Sequence, residues 1–296
     1  QLNQQTEQLS PLSSRPAYTE TENELTVKAN KRTFIFSKKD GQLKGVSVDN
    51  RKISFANGPR FIGARRADRS LDQFYNHDDE KAKEKDRTYS EFPDAAVFTK
   101  LDVKQDGGDL IVTANYKLGN LDKAQWTINP SGDLALDYTY NFSGVVDLMG
   151  IRFDYPEDQV ISKRWLGAGP YRVWQNRIHG TQYDVWENDY NDPIPGETFT
   201  YPEFKGYFGD VSWMNIQTKE GTISLTNETP DAYIGVYQPR DGRDRLLYTL
   251  PESGISVLNV IPPVRNKVNS TDLCGPSSQP KWVNGPQTGR VIFRFM

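Results

Sequence analysis

The stretch LTVKANKRTFIFSKKDGQLKGVSVDNRKIS, residues 25 to 54, decides the fold. Apolar and polar side chains alternate along it, first at Leu25 and Val27 and then at Phe34 and Phe36. This period of two is typical of β-strands that bury one face. The dipeptides DG and DN interrupt the alternation, and both favour tight turns. The stretch therefore predicts a meander of short antiparallel strands.

The same alternation recurs through the rest of the chain. It is seen in LDVKQDGGDLIVTANYKL, KAQWTINPSGDLALDYTYNF, GTISLTNE, DAYIGVYQ and VIFRFM. The turn signals DGGD, NPSGD and DGRD lie in or between these stretches at the spacing of a β-sandwich. A dozen or more strands are expected, which exceeds the content of an immunoglobulin-like domain of about 100 residues. The charged stretch 77–89 is interpreted as a loop, since it lacks an apolar helical face. We predict an all-β fold built from two large sheets.

The two ends of the chain differ in character. Residues 1–20 are polar, carry no period and contain Pro11 and Pro16, which predicts a linker or strap. Residues 21–296 show strand patterns throughout without a change of composition near the middle, which predicts one β-sandwich domain.

Composition argues against several classes of partner. The chain has 36 basic and 39 acidic side chains and a formal net charge of -3, so it lacks the positive excess that attracts nucleic acid. No apolar run is long enough to cross a membrane. Cys274 is the single cysteine, and the histidines His77 and His179 lack zinc-binding spacing. We expect no nucleic-acid or membrane partner, no cofactor and no metal site.

The segment WLGAGPYRVWQNR, residues 165 to 177, stands apart from these strands. Gly167 and Gly169 permit positive φ angles or a close approach of backbones. Tryptophan and tyrosine in loops commonly face a ligand or a partner. We predict a glycine-shaped loop at the rim of the sandwich, with Arg172 and Trp174 pointing into a shared groove.

Three blocks of sequence carry a resemblance to a known family. Residues 165–177 are similar to the signature G-x-G-P-x-E-x-Y-x-D-R, and YPEFKGYFGDVSW, residues 201–213, is similar to a P-Q-E-N-G-N-R-T-D-V-R-W block. The opening strands follow an N-K-R-W/F-x-F pattern with a later S/D-G-x-L turn. Together they resemble the C-terminal, or small-chain, β-sandwich domain of the β-galactosidases of glycoside hydrolase family 2. The resemblance covers residues 21–296 and implies a galactose-mutarotase-like supersandwich of two large antiparallel sheets.

Four positions depart from the family pattern. Arg172 and Phe204 stand where the family has glutamates, Asn176 replaces an aspartate and Ser212 replaces an arginine. A buried acid–arginine pair must be kept or lost as a unit, because a single buried charge costs about 3–5 kcal/mol. The pattern predicts a remodelled sugar site, in which an added cation would favour an acidic sugar.

The resemblance also implies a function. Retaining glycosidases need a pair of carboxyl groups, which family 2 places in a (β/α)8 barrel, and this chain lacks the alternating strand–helix pattern of such a barrel. We therefore expect no catalytic residue here. The chain would be a non-catalytic domain that shapes or covers the sugar site of a barrel elsewhere in a parent retaining glycoside hydrolase. Its partners would be carbohydrate and the other domains of the parent, which we expect in the periplasm or outside the cell.

Sugar binding combines an aromatic ring, which stacks on the pyranose, with polar groups that bind its hydroxyls. Trp282 is a candidate because the resembling enzymes bring an aromatic towards the active site on a loop near the end of the chain. The candidate substrate-binding residues are Arg172, Trp174, Arg177, Tyr183, Asp184, Trp186, Glu203 and Trp282.

Two alternatives remain open at the level of sequence. A mutarotase-like aldose epimerase would need a histidine acid and a carboxylate base, for which His179 and one of Glu203, Asp184 or Glu187 are candidates. A stand-alone carbohydrate-binding or partner-docking sandwich would need no catalytic residue, and the fold is equally compatible with it.

Overall fold

The computed structural model describes residues 15–66, 89–189, 205–237, 250–263 and 276–296, which contain nineteen strands and two short 3₁₀ helices. The strands are β1 (Ala17–Glu20), β2 (Glu24–Ala29), β3 (Arg32–Ser37), β4 (Leu43–Val48), β5 (Arg51–Ile53), β6 (Ala56–Arg66), β7 (Tyr89–Glu91), β8 (Val97–Asp106), β9 (Asp109–Lys117), β10 (Leu121–Ile128), β11 (Leu134–Val146), β12 (Leu148–Asp154), β13 (Val160–Gly169), β14 (Gln182–Asp189), β15 (Trp213–Thr218), β16 (Gly221–Asn227), β17 (Tyr233–Gly235), β18 (Ile255–Val260) and β19 (Lys281–Phe295). The 3₁₀ helices are Glu157–Gln159 and Pro276–Ser278. No helix in these ranges has the length and apolar character needed to cross a membrane.

The strands form two large sheets. The first sheet has the order β1-β2-β3-β4-β6-β12-β18-β17, with β5 beside β4 and β7 beside β6. The second has the order β14-β13-β15-β16-β19-β11-β10-β9-β8. Neighbouring strands run antiparallel in both sheets, which confirms the predicted architecture.

The opening meander follows the sequence pattern closely. Leu25 and Val27 on β2 and Phe34 and Phe36 on β3 are buried, while intervening side chains are more exposed. The turn between β4 and β5 places Asp49 and Asn50 at positive φ, a conformation that Asp and Asn tolerate better than most residues. Local pattern and turn chemistry therefore agree in this region.

The main core lies between the two sheets and is rich in aromatic rings. Phe153 of β12 stacks on Phe55 at 4.7 Å between ring centroids and meets Phe293 of β19 edge-on at 5.4 Å. Trp126 of β10 lies 5.9 Å from the same ring. Burying each such side chain stabilises the fold by about 1.5–3 kcal/mol. Phe153 thus joins the first sheet to the second.

A second apolar cluster lies on the outer face of the first sheet. Phe61 and Val257 belong to the main core, so their neighbours Ile62 on β6 and Leu258 on β18 point to the opposite face. These side chains pack with Trp174 and with the others of the cluster, which are Ala64, Tyr89, Leu148, Val173, Tyr207, Leu250 and Ile261. The chain around Trp174 therefore covers part of this face.

The N-terminal segment departs from its prediction. Ala17–Glu20, the last four residues of the predicted strap, pair antiparallel with β2 and extend the first sheet. All four side chains are exposed, so the strand is held through its backbone and leaves no alternation to read in the sequence. The predicted loop at 77–89 lies outside the described residues except for Tyr89, which begins β7.

Among the described strands, β8 lies at the border of the second sheet, and it carries alternating charges. Lys100 lies 2.7 Å from Asp102, and Lys104 lies 3.4 Å from Asp106, measured between ammonium nitrogen and carboxylate oxygen. All four side chains are exposed.

Candidate functional site

The segment 165–177 starts as a strand and then crosses onto the second cluster. Trp165 to Gly169 are the last residues of β13, so the predicted loop begins only at Pro170. Val173 and Tyr207 then exchange backbone hydrogen bonds of 2.7 and 2.8 Å. These bonds fix the segment against the block around Tyr207.

The glycines of this region permit close approach. A Cβ added at Gly169 would lie 2.4 Å from Cδ1 of Trp186, and one added at Gly206 would lie 2.1 Å from the carbonyl oxygen of Val173. Around Gly167, backbone atoms of residues 209 to 211 lie at 3.0 Å from the same position. Neither Gly167 nor Gly169 has a positive φ angle. Of the two roles considered from the sequence, close packing is the one observed.

Trp174 is buried and does not face a groove. Its side chain has no exposed surface, and it meets the ring of Tyr207 edge-on at 5.8 Å between centroids. A sugar cannot stack on an indole that is covered on both faces. The predicted position in an open groove is therefore wrong for Trp174, because the outer face of the first sheet needs an apolar cover and this ring supplies it.

Arg172 is also buried, with 2% of its surface exposed. Its guanidinium carbon lies 5.2 Å from the ring centroid of Tyr237 and 5.9 Å from that of Phe208. Lys163 is buried beside the same two rings, 4.7 Å from Tyr237, and donates a hydrogen bond to the carbonyl of Asp189 at 2.8 Å. Attraction of a desolvated cation to an aromatic face contributes about 2 kcal/mol. The predicted groove position is wrong for Arg172 as well.

Strand β14 presents three of the candidates. Tyr183 is exposed, and its hydroxyl lies 2.6 Å from that of Ser212. Asp184 is exposed and accepts a 2.7 Å hydrogen bond from the backbone of Val185. Trp186 is half-buried over Gly169. Tyr183 and Asp184 are thus available to a ligand, whereas Trp186 is mainly packing.

Arg177 and Glu203 are two further candidates. Arg177 is exposed and closes a turn, because its backbone N–H donates to the carbonyl of Trp174 at 2.8 Å. Glu203 lies outside the described residues. The candidates proposed from sequence therefore do not form one cluster among the described residues.

Trp282 stands out because 71% of its surface is exposed. It lies on β19 opposite Val145 of β11. Pairing of β10 with β11 stops at Tyr140, and β16 pairs with β19 only from Val291 onward. Residues 142–146 and 281–285 therefore extend past both neighbouring strands as a two-stranded ribbon, which carries Trp282.

Gln175 connects this ribbon to the segment 165–177, and sequence reasoning missed it. Its buried amide nitrogen donates to the carbonyls of Ser277 and Gln279, both at 2.8 Å, just before β19 begins. A glutamine between a tryptophan and an asparagine is a weak signal in a sequence, because it becomes meaningful only when its distant partners are known.

The described residues of the epimerase alternative, His179, Asp184 and Glu187, are on the surface. His179 is exposed, and its carbonyl accepts a hydrogen bond from the hydroxyl of Tyr171 at 3.3 Å. Glu187 is exposed 3.9 Å from the guanidinium of Arg164. Such exposed pairs contribute about 0–1 kcal/mol.

Comparisons with known proteins agree with this architecture. The model of the beta galactosidase small chain family matches residues 28–264. The galactose 1-epimerase of Lactobacillus acidophilus NCFM is similar in structure, with 10% identity, a TM-score of 0.52 and coverage of 96% of this chain and 99% of the epimerase. An aldose epimerase homologue from C. elegans has 8% identity, a TM-score of 0.44 and coverage of 95% and 99%. No curated protein sequence matches the chain. At 10% identity the likeness to the Lactobacillus galactose 1-epimerase shows the fold alone, and it confirms the galactose-mutarotase-like sandwich.

Proposed function

Since the chain belongs to the beta galactosidase small chain family, we propose that it is a non-catalytic, carbohydrate-associated domain of a β-galactosidase-like glycoside hydrolase. In this proposal the catalytic carboxyl pair of a retaining mechanism lies on a barrel elsewhere in the parent protein. The sandwich supplies one wall of the sugar site and covers part of it.

The observation that carries the proposal is the exposure of Trp282 on the ribbon. An indole is large and apolar, and proteins usually bury most of it. The ribbon holds the ring beyond the neighbouring strands, while Gln175 fixes the start of β19 through two hydrogen bonds. A held, exposed aromatic face is suited to stack on the apolar face of a pyranose bound by an adjoining domain.

The first experiment replaces Trp282 in the parent hydrolase. We expect Trp282→Ala to lower kcat/KM on oligosaccharides by about tenfold, because loss of a stacking contact of 1–1.5 kcal/mol corresponds to that factor. The effect should fall mainly on KM. Leu118→Ala is the matched control, since Leu118 is 73% exposed but lies between β9 and β10. Equal kinetics of the two variants would contradict a role of Trp282 at the sugar site.

The second experiment separates this proposal from the epimerase alternative. The purified chain should neither hydrolyse aryl glycosides of galactose, glucose and glucuronate nor accelerate the mutarotation of freshly dissolved α-D-galactose. Release of the aryl group and the change of optical rotation measure the two activities. Accelerated mutarotation that His179→Ala abolishes would replace the accessory role with an epimerase.

A further inference from the structure

The outer face of the first sheet has a polar half, which forms a cleft. The second cluster covers the face where β12 begins, whereas the cleft lies where β12 ends. It encloses about 550 Å³ and is lined among others by Asn57, Arg152, Asp154, Glu252 and Ser253. Small-molecule sites in proteins typically measure about 300–1,000 Å³. The cleft is therefore large enough for one or two sugar rings.

Contacts between distant parts of the chain fix its walls. Asp154 forms an ion pair with Arg60 and accepts a 2.8 Å hydrogen bond from the amide of Asn57. Arg152 donates to the backbone carbonyl of Glu252, which ties β12 to the turn before β18. Polar groups on opposite walls are thus held in place by the fold itself.

Two polar atoms of the lining have no hydrogen-bond partner among the described residues. One is Oγ of Ser253, a residue with 3% of its surface exposed, and the other is Nε of Arg152. A buried polar group that makes no hydrogen bond costs about 1–3 kcal/mol. Protein atoms cover both of these atoms, so they add buried polarity beside the cleft and do not themselves meet a ligand.

The charges of the lining indicate which ligand fits. The lining contains both Lys52 and Arg152 and the three carboxylates of Asp154, Glu157 and Glu252. Since both signs of charge are present, the lining favours neither an anionic nor a cationic ligand. No group of three or more His, Cys, Asp or Glu residues in the described ranges is arranged to hold a metal ion. Sugar hydroxyls both donate and accept hydrogen bonds, which matches donors and carboxylates placed side by side. Pro156 adds an apolar surface.

We propose that this cleft binds a neutral saccharide, at a site separate from Trp282. Val145, the partner of Trp282, lies just before β12 begins, while Arg152 and Asp154 lie at its end. A strand of seven residues spans about 20 Å. The two sites are therefore at opposite ends of β12, and the cleft does not depend on the role proposed for Trp282.

The test is a titration of the full chain with D-galactose, D-glucose and β-1,4-galactobiose. Saturation-transfer NMR detects binding and calorimetry gives the dissociation constant. We expect at least one of these sugars to bind, and Arg152→Met to weaken its binding about tenfold because a hydrogen bond from a charged donor is lost.

Three further variants make the result decisive. Glu252→Ala changes an exposed rim residue, so it tests the cleft even if a buried substitution unfolds the chain, and it should also weaken binding. Arg164→Met, at an exposed arginine on β13, should leave the dissociation constant unchanged. Absence of binding by all three sugars would overturn the proposal. Binding that is abolished by Trp282→Ala but unaffected by the cleft variants would also overturn the proposal. This outcome does not depend on the kinetics of the parent hydrolase.

Discussion

At the scale of single residues, Gly206 is a point of close backbone approach beneath the segment 165–177. The hypothetical Cβ at 2.1 Å from the carbonyl of Val173 meets backbone, not a flexible side chain. The clash can be relieved only by moving the pair of hydrogen bonds between Val173 and Tyr207. This position therefore requires glycine for packing.

Gly206→Ala should destabilise the chain by about 1–3 kcal/mol, the usual cost of forcing extra volume into a packed site. Gly45→Ala is the matched control, because its added Cβ would meet only Cδ1 of Ile35 at 3.9 Å. It should change the free energy of unfolding by less than about 1 kcal/mol. Urea denaturation measures both, and equal losses would show that the contact at Gly206 has relaxed.

The orientation of individual side chains was the least predictable property. Trp174 and Trp282 give the same signal in the sequence, a tryptophan near glycine and proline, yet one is fully buried and the other largely exposed. Trp174 is buried by Ile62 and Leu258, which are far away in sequence. The glycines were predictable as backbone devices because glycine is the residue that lacks a Cβ, whereas burial of a loop side chain is set by distant partners.

At the scale of elements, β19 is central to the second sheet. It pairs with β11 from Leu134 opposite Phe293 to Val146 opposite Lys281. Arg294 of β19 also binds Asp133, before β11, through two hydrogen bonds of 2.7 Å. These hydrogen bonds from Arg294 hold the pKa of the Asp133 carboxyl below its ordinary value, against a smaller opposing effect of burial.

Asp133→Asn should lower the free energy of unfolding at pH 7 by about 1 kcal/mol. The expected loss is small for a charged, hydrogen-bonded pair because Arg294 is partly exposed to solvent. A lowered native pKa means that the ionised carboxylate stabilises the fold above the unfolded pKa of about 4. This contribution is lost as the pH falls through the lower native pKa, so the wild type and the variant should converge as the pH falls below about 4. Thermal unfolding across this range measures the difference.

Asp106→Asn, at an exposed end of β8, is the control and should change stability by less than about 0.5 kcal/mol at pH 7. A gap between wild type and Asp133→Asn that stays constant down to pH 2 would contradict the ion-pair interpretation.

Strands with one buried face were predictable as elements, and those without were not. The alternation of apolar and polar residues in β2 and β3 is visible in the sequence because each strand buries one face in the core. The strand β1 is exposed throughout, and the ribbon that carries Trp282 extends past its neighbours, so neither has a period that a reader of the sequence could detect.

At the scale of the whole molecule, the main core joins both sheets. Phe153 and Phe55 come from the first-sheet half, while Phe293 and Trp126 come from the second sheet. Since the same rings are shared, neither sheet can lose its partner and remain packed. We expect one cooperative unfolding transition rather than two.

Phe153→Ala should destabilise the chain by about 3–5 kcal/mol and shift tryptophan fluorescence and far-UV circular dichroism together. Leu118→Ala, on the surface, should shift neither. Two transitions with different midpoints, or a fluorescence change without loss of strand signal, would indicate separate cores.

The alternating charges on β8 affect the self-association of the molecule. A strand at the border of a sheet is in general a template for addition of a strand from another chain, which is one route to fibrous aggregates. A strand from another chain that paired with β8 would remove water from four charged side chains. These are Lys100, Asp102, Lys104 and Asp106, which already form ion pairs within the strand. These charges act as a barrier to such growth, so that a ten-residue border strand can stay open to solvent at high concentration.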